Sequence, residues 1–426
     1  MELVKEYLVE KSGYTLHLIP TEKYKTNTIV WKMKAPLDKE TATYRALLPN
    51  VLQSNSKKYT TTSALRSYLD ELYGASFFTD VSKKGEFHII SFTLEVANEK
   101  FLQDKTPLLQ KAIEFLSEVL QNPNVTDRAF DEATMRKEKH SLKRRIQSVY
   151  DDKMRYASVR LVEEMCKDEA YAIHASGDED KVDKITGASL FDYYERAFME
   201  DKMDLYIIGD IDSNEVENFC SLFQFQDRTT NQQQHVEEKS VTKVKEVKET
   251  QDINQGKLNI GCRTNIKYGD SDYFTLQMFN GIFGGFPHSK LFINVREKES
   301  LAYYAASRVE SHKGLLMIMS GIDSKNYDKA VSIIKEQMDL MKDGSFTDEE
   351  ISQTKAVIQN QFLETIDSAR GVIEVFYHNT VAGTNVAIND WIEKTNSTTR
   401  DEIVAVAQKV ELDTIYFLSG MEGEQG

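Results

Sequence analysis

The chain has 426 residues, of which 40% are hydrophobic and 28% charged, and its net charge is -15. This length exceeds what one small hydrophobic core serves, so we expect two or more domains. The negative charge argues against nucleic acid as a partner, because phosphate binding depends on clustered Lys and Arg, and no stretch approaches the roughly 18 apolar residues of a membrane span.

Period-two alternation and turn residues predict strands in the first half at 4–10, 14–19, 28–34, 77–81, 86–96 and 203–209. Helical periodicity predicts helices at 43–53, 108–120, 126–166 and 188–199, and a short one between Thr62 and Gly74. Pro49 lies inside the first of these helices. We expect a kink or a fresh start there, because proline removes a backbone donor.

The helical stretch 126–166 is locally basic although the chain as a whole is acidic. Its cations are Arg136, Lys137, Lys139, Lys143, Arg144 and Arg145. Two interpretations remain open at this point: a solvated helix face, and a docking surface for an acidic partner.

Residues 226–252 are polar, contain no aromatic residue and lack an apolar stripe, which predicts a linker or an extended connection. After this segment the order of elements repeats. Strands are predicted at 257–262, 303–311, 315–321 and 414–418, and helices at 272–283, 289–295, 326–342 and 348–367.

The repeat has a nearly constant spacing. A short helix at Ser63 and a hairpin turn at Gly85 correspond to Ser289 and Gly314, at offsets of 226 and 229 residues. Such an offset indicates duplication. We therefore predict an α+β fold with two homologous domains, at 1–225 and 253–426, joined by the polar linker 226–252. Each domain would hold a mixed, mostly antiparallel sheet with helices packed on one face.

The cysteines and the N-terminal residues indicate in which cellular compartment the protein resides. Cys166, Cys220 and Cys262 are tens of residues apart, which indicates neither a disulfide framework nor a CxxC metal site. The opening MELVKEYLVEKSGY has spaced charges and no apolar core, so it predicts neither a signal peptide nor an anchor. We therefore predict a reducing compartment, the cytoplasm.

The stretch SKLFINVREKESLAYY, residues 289–304, resembles the signature of the insulinase or pitrilysin metallopeptidases. In that family an arginine and a tyrosine seven residues apart hold or polarise the substrate carbonyl, and the resemblance assigns these roles to Arg296 and Tyr303. The residues alone also fit a packed helix-to-strand junction with a surface ion pair between Arg296 and Glu297. The preceding segment 281–285 fits either a tight helix-to-helix turn or a flexible edge that touches substrate.

Proteolysis in that family needs an H-x-x-E-H zinc motif and a later glutamate ligand. The resemblance places the motif on 46–50, where Ala46 and Asn50 replace the histidines and Pro49 replaces the general base, and it places the later ligand at Arg144. No two of the eight histidines lie within five residues of each other. The resemblance therefore implies that this chain binds no metal at these degenerate positions.

Two functions follow from this combination. The resemblance implies the non-zinc subunit of a heteromeric zinc metallopeptidase, which is inactive alone. Arg296 and Tyr303 would position a peptide substrate at the zinc site of a homologous partner that carries the zinc. The alternative is a catalytically inactive scaffold or peptide-binding protein of the same fold.

Overall fold

A computed structural model describes residues 4–103, 106–226, 238–299 and 301–420. The described residues within Met1–Ser148, Ile173–Gln234 and Ser368–Phe376 form one compact unit. Those within Val149–Ala172, His235–Asp367 and Tyr377–Gly426 form a second. Among the helices in these ranges, none combines the length and the apolar character that crossing a bilayer requires.

The first unit contains a six-stranded sheet in the order β1-β2-β8-β3-β5-β4. Its strands are β1 (Tyr7–Lys11), β2 (Tyr14–Pro20), β3 (Thr26–Pro36), β4 (Ser76–Lys84), β5 (Phe87–Ala97) and β8 (Lys202–Gly209). β6 (Val125–Thr126) and β7 (Ala129–Phe130) form a separate two-stranded ribbon. In the six-stranded sheet only β2 and β8 pair in parallel.

The second unit contains a five-stranded sheet in the order β11-β12-β10-β13-β9. Its strands are β9 (Lys245–Gln251), β10 (Gly256–Arg263), β11 (Ala302–Glu310), β12 (Leu315–Ile322) and β13 (Glu411–Gly420). Only β13 and β9 pair in parallel. Without β1, the first sheet has the same order and the same single parallel pair, so the two sheets are topological copies.

The segment predicted as a linker at 226–252 contains β9, the first strand of the second sheet. Residues 227–237 lie outside the described residues. β9 has the sequence KEVKETQ and its side chains alternate between exposed and half-buried. It is an edge strand with β13 as its neighbour, so it keeps charged side chains and offers no apolar stripe from which a strand could be predicted.

Helices of the first half of the sequence follow the predicted order. They are α1 (Ala42–Ser54), α2 (Thr62–Glu71), α3 (Leu108–Gln121), α4 (Glu132–Asp151), α5 (Lys153–Met165), α6 (Glu179–Val182), α7 (Gly187–Glu200) and α8 (Ser213–Phe219). The predicted long helix 126–166 is two helices, α4 and α5. Asp152 separates them, because its carboxylate accepts hydrogen bonds from the N–H groups of Met154 and Arg155 and so begins a new helix.

The core of the first unit lies between its sheet and its helices. Strand residues on one face, such as Leu16, Trp31, Phe92 and Leu205, are fully buried against α1, α3 and α7. The opposite face of this sheet is more polar. Lys32 is buried there, and its amino group lies 2.5 Å from Glu374, in the Ser368–Phe376 segment that belongs to this unit.

Helices of the second half are α9 (Tyr273–Asn280), α10 (Tyr327–Lys342), α11 (Asp348–Ile366), α12 (Ala369–Ala382), α13 (Ile388–Ser397) and α14 (Arg400–Lys409). Two π-helical segments, Gly281–Gly285 and Phe292–Lys298, lie between α9 and β11. Helices α9, α10 and α14 pack on one face of the second sheet. Helix α5 covers the opposite face through Ala157 and Leu161. Each unit therefore includes a helical segment from the other half of the sequence, which periodicity alone does not reveal.

Of the two outcomes expected at Pro49, a kink or a fresh start, the fresh start is wrong, because α1 continues through this residue. Proline removes only one donor, and the buried residues Leu47, Leu48, Val51 and Leu52 fix both halves of α1 in the core.

Arg45, in α1, is a fully buried cation at the centre of the first unit. Its Nη1 donates to the Asp201 carboxylate at 2.6 Å and to the Tyr193 hydroxyl at 3.1 Å. Its Nη2 donates to the carbonyl oxygens of Met33 and His88, both at 3.0 Å. One guanidinium thus connects α1, β3, β5, α7 and the residue before β8.

We expect Asp201→Ala to lower the free energy of unfolding by about 3–5 kcal/mol, because it leaves the buried Arg45 guanidinium without its carboxylate. Urea denaturation followed by circular dichroism measures this loss. Glu40→Ala, which removes an exposed carboxylate paired with Lys181, is the control and should cost less than about 1 kcal/mol. Equal losses for the two variants would contradict the importance of the Arg45 network.

The second unit also contains a buried cluster of charged side chains, which is centred on Glu169. Its nearly buried carboxylate accepts hydrogen bonds from Arg263 Nη2 at 2.7 Å and lies 2.6 Å from Lys313 Nζ. Arg263 also donates to Asp413 at 2.8 Å, which ties β10 to β13. Burial alone would raise the pKa of Glu169, but the hydrogen bonds from Arg263 and Lys313 outweigh it and hold the pKa at about 2.

The second unit should therefore lose stability on acidification. Because the pKa of Glu169 falls from 4.5 to about 2 on folding, the stabilisation is complete above pH 4.5 and disappears as the pH falls through 2. This difference between the unfolded and folded pKa of Glu169 corresponds to about 3 kcal/mol in the free energy of unfolding. Thermal unfolding between pH 7 and pH 2 measures it. Glu169→Gln should flatten this part of the profile, whereas Glu336→Gln, on the exposed face of α10, should not; equal profiles would refute the assignment.

Candidate functional site

The first group of predicted site residues lies on α1. Ala46 and Pro49 are buried, and Asn50 is half-buried with its side-chain amide donating to the Ala46 carbonyl oxygen at 2.9 Å. A methyl group and a pyrrolidine ring offer no metal ligand, and this amide caps a helical carbonyl. These three side chains do not fit a zinc site.

The position predicted for the later zinc ligand, Arg144, lies on the exposed face of α4. The carboxylate of α4 that contacts the end of α1 is Glu138, which is buried and accepts a hydrogen bond from Ser54 Oγ at 2.8 Å. Sequence reasoning missed Glu138, although its spacing from the buried Leu142 and Ile146 places it on the core face. Within the described ranges, no three His, Cys, Asp or Glu side chains are grouped so that they could hold a metal ion.

The Gly-rich segment Gly281–Gly285 continues α9 as a π-helical turn and does not form a loop. A Cβ atom on Gly281 would lie 2.5 Å from the Thr354 methyl group, and one on Gly284 would lie 2.6 Å from a Leu291 methyl carbon. Phe283 is fully buried. These glycines serve close packing, which favours the structural interpretation over an edge that touches substrate.

Arg296 lies in the π-helical segment Phe292–Lys298, directly after the buried Val295. Its side chain is exposed, and its guanidinium carbon lies 4.5 Å from the centre of the Phe292 ring. In the part of the chain that the structure describes, no carboxylate lies at ion-pair distance from this guanidinium. The ion pair with Glu297 that the sequence allowed is therefore not formed.

Tyr303 lies at the start of β11, where the register with β12 is interrupted. Ala302 pairs with Ile322 and Tyr304 with Gly321, so Tyr303 is the extra residue of a β-bulge. Its side chain is 74% exposed, whereas that of Tyr304 is half-buried. Bulges commonly redirect a side chain, and this one turns Tyr303 outward.

One backbone hydrogen bond joins the two elements that carry Arg296 and Tyr303. The N–H of Leu301 donates to the carbonyl oxygen of Val295 at 3.1 Å. It fixes the middle of the π-helical segment against the residue that precedes β11. Both side chains thus project from one short junction in the second unit, whereas Ala46, Pro49, Asn50 and Arg144 belong to the first unit.

Comparison with known proteins identifies the family. The family described as Peptidase M16 inactive domain matches residues 184–358. A Bacillus subtilis (strain 168) protein, the probable inactive metalloprotease YmfF, is 51% identical over 426 residues, which cover 99% of this chain and 100% of that protein. This chain belongs to the M16 peptidase family. The resemblance to the insulinase and pitrilysin metallopeptidases is thereby confirmed.

Two further proteins are similar to this chain. A conserved protein from Enterococcus faecalis V583 has a crystal structure with a TM-score of 0.92 and 37% identity, covering 99% of this chain and 100% of that chain. The uncharacterized zinc protease YmxG of Bacillus subtilis (strain 168) is 22% identical over 292 residues, 66% of this chain and 69% of that protein. The M16 match at 184–358 includes Arg296 and Tyr303 but not residues 46–50 or Arg144.

Because Arg296 and Tyr303 are exposed, Arg296→Ala and Tyr303→Phe should each change the free energy of unfolding by less than about 0.5 kcal/mol. Tyr304→Ala is the matched comparison. The Tyr304 ring packs against Gly321, where an added Cβ would lie 2.4 Å from it, so its loss should cost about 1–3 kcal/mol. Chemical denaturation of the three variants measures this. A large loss for Arg296→Ala would instead indicate a structural role.

Proposed function

We propose that this M16 chain is the non-zinc subunit of a heteromeric zinc metallopeptidase, in which Arg296 and Tyr303 position a peptide at the partner's zinc site. The observation that supports this most is the outward Tyr303, exposed at a bulge seven residues after an exposed arginine. Neither side chain contributes to the core of the second unit. The exposure of both side chains therefore favours a role in binding a ligand.

The chemistry of the pair suits a peptide carbonyl. Hydrolysis places negative charge on the carbonyl oxygen, and preorganised donors lower the energy of that state. A guanidinium is always charged and presents planar N–H donors, and a phenol adds one O–H donor. The Phe292 ring, stacked at 4.5 Å, restricts the guanidinium and so lowers the entropy that it loses on binding.

The metal would belong to a homologous partner subunit, because Ala46, Pro49 and Asn50 offer no suitable ligands. YmxG supports such a partner class, since it is a related protein named as a zinc protease. This chain would be inactive alone and would hold no zinc of its own. We place it in the cytoplasm, since its three cysteines are free and buried, and burial raises the pKa of each thiol to about 12.

A second candidate function is a catalytically inactive scaffold or peptide-binding protein of the same fold. The name of YmfF, a probable inactive metalloprotease at 51% identity, favours it. A scaffold would need neither Arg296 nor Tyr303 for cleavage. The two functions therefore differ in what these side chains do for peptide hydrolysis.

The test is to purify the chain together with an M16 homologue that has the H-x-x-E-H motif and to assay cleavage of a fluorogenic peptide library. Arg296→Ala and Tyr303→Phe should each lower kcat/KM by about 100-fold or more, because each removes a donor to the carbonyl oxygen. Phe292→Leu should lower it by only a fewfold, since a cation–π contact contributes about 0.5–1 kcal/mol.

Arg308→Ala is the matched control, because Arg308 is an exposed arginine of β11 that pairs with Glu310. It should leave kcat/KM unchanged. Full activity with both Arg296→Ala and Tyr303→Phe would support the scaffold and refute the subunit role. Stoichiometric zinc and cleavage by this chain alone would also refute the proposal.

A further inference from the structure

Helix α4 carries six cations against three carboxylates, Glu132, Glu138 and Asp151, in a chain whose net charge is -15. Beside it, in the first unit, lies an open cleft of about 510 Å³. Arg136, Lys139, His140 and Lys143 form one wall, and the segment from Asp183 to Gly187 forms the other. We propose that this cleft and the adjoining α4 face bind an acidic peptide segment of another protein.

The helical spacing brings the basic residues of α4 together. Arg136, Lys139, His140 and Lys143 are three or four residues apart, so they lie along one side of the helix. Arg136 is exposed and, in the portion of the chain that is described, has no carboxylate at ion-pair distance. It is available to an incoming carboxylate.

The two lysines of the cleft are held close together by the opposite wall. Lys143 Nζ lies 2.5 Å from the Asp183 carboxylate, and Lys139 Nζ donates to the Asp183 carbonyl oxygen at 3.1 Å. One carboxylate thus faces two ammonium groups. Burial lowers the pKa of Lys139, and the repulsion from the neighbouring Lys143 adds to this effect although the Asp183 carboxylate opposes it. A second carboxylate would relieve this repulsion.

The length and composition of the surface favour a peptide over a small anion. Arg144 is exposed and continues the basic face beyond the cleft. From Arg136 to Arg144 the helix rises by about 12 Å, which equals about three to four residues of extended chain. Glu132 and Asp183 also line the cleft, so a compact, highly charged anion would meet like charges that carboxylates spaced along a peptide can avoid.

This surface lies in the first unit and contains neither Arg296 nor Tyr303, so its role is independent of the proposed cleavage role. The probe is fluorescently labelled hexaglutamate, and its affinity for the full-length chain is measured by anisotropy at two salt concentrations. We expect saturable binding that weakens with salt. Hexaglutamine and inorganic phosphate should fail to compete.

The double variant Arg136→Gln, Lys139→Gln should weaken hexaglutamate binding by about tenfold or more, or ~1.4 kcal/mol. The control is Lys100→Gln, Lys325→Gln, which removes the same charge from exposed lysines outside α4 that are already paired with Asp210 and Asp323. Circular dichroism verifies that both variants fold. Equal weakening in both, or competition by phosphate or hexaglutamine, would overturn the proposal, as would an absence of hexaglutamate binding.

Discussion

Each unit of this M16 chain depends on one parallel strand pairing. β2 pairs with β8, and β9 pairs with β13, so an early strand of each sheet lies beside its last strand. The antiparallel hairpins occupy the other side of the sheet, so the parallel pair is a contact that joins residues far apart in the sequence. A parallel pair needs a long connection, and in each unit that connection holds most of the helical core.

The two sheets have the same topology but differ at one hairpin. β4 and β5 pair in continuous register from Ser76 to Lys84. In the corresponding pair β11 and β12, the register breaks at Tyr303, and a π-helical segment replaces an ordinary helix just before the break. Both irregularities lie within a few residues of Arg296. π-Helical turns and bulges interrupt regular hydrogen bonding, both are frequent at functional sites, and a bulge can redirect a side chain.

The sequence predicted the elements whose signal is local. The strand and helix order, the hairpin turns at Gly85 and Gly314 and the family assignment from 289–304 needed only neighbouring residues. The network around Arg45 was invisible, because Asp201 is 156 residues away in the chain. The bulge at Tyr303 depends on the register with β12, and β9 depends on β13. Periodicity contains no information about such partners.

The cations near the junction of the π-helical segment and β11 differ in whether they form ion pairs. Cations at a solvated helix end are usually paired with nearby carboxylates. Two other cations near this junction form such ion pairs. Lys329 lies 2.6 Å from Glu299, and Arg308 pairs with Glu310 at 3.3 Å. Arg296 differs, since its contact is the face of Phe292. Within the described ranges this guanidinium contacts an aromatic ring and no carboxylate, so no ion pair engages its N–H donors. Among the residues that the structure describes, a surface ion pair therefore does not account for Arg296, and the exposed Tyr303 seven residues later lies outside the buried core.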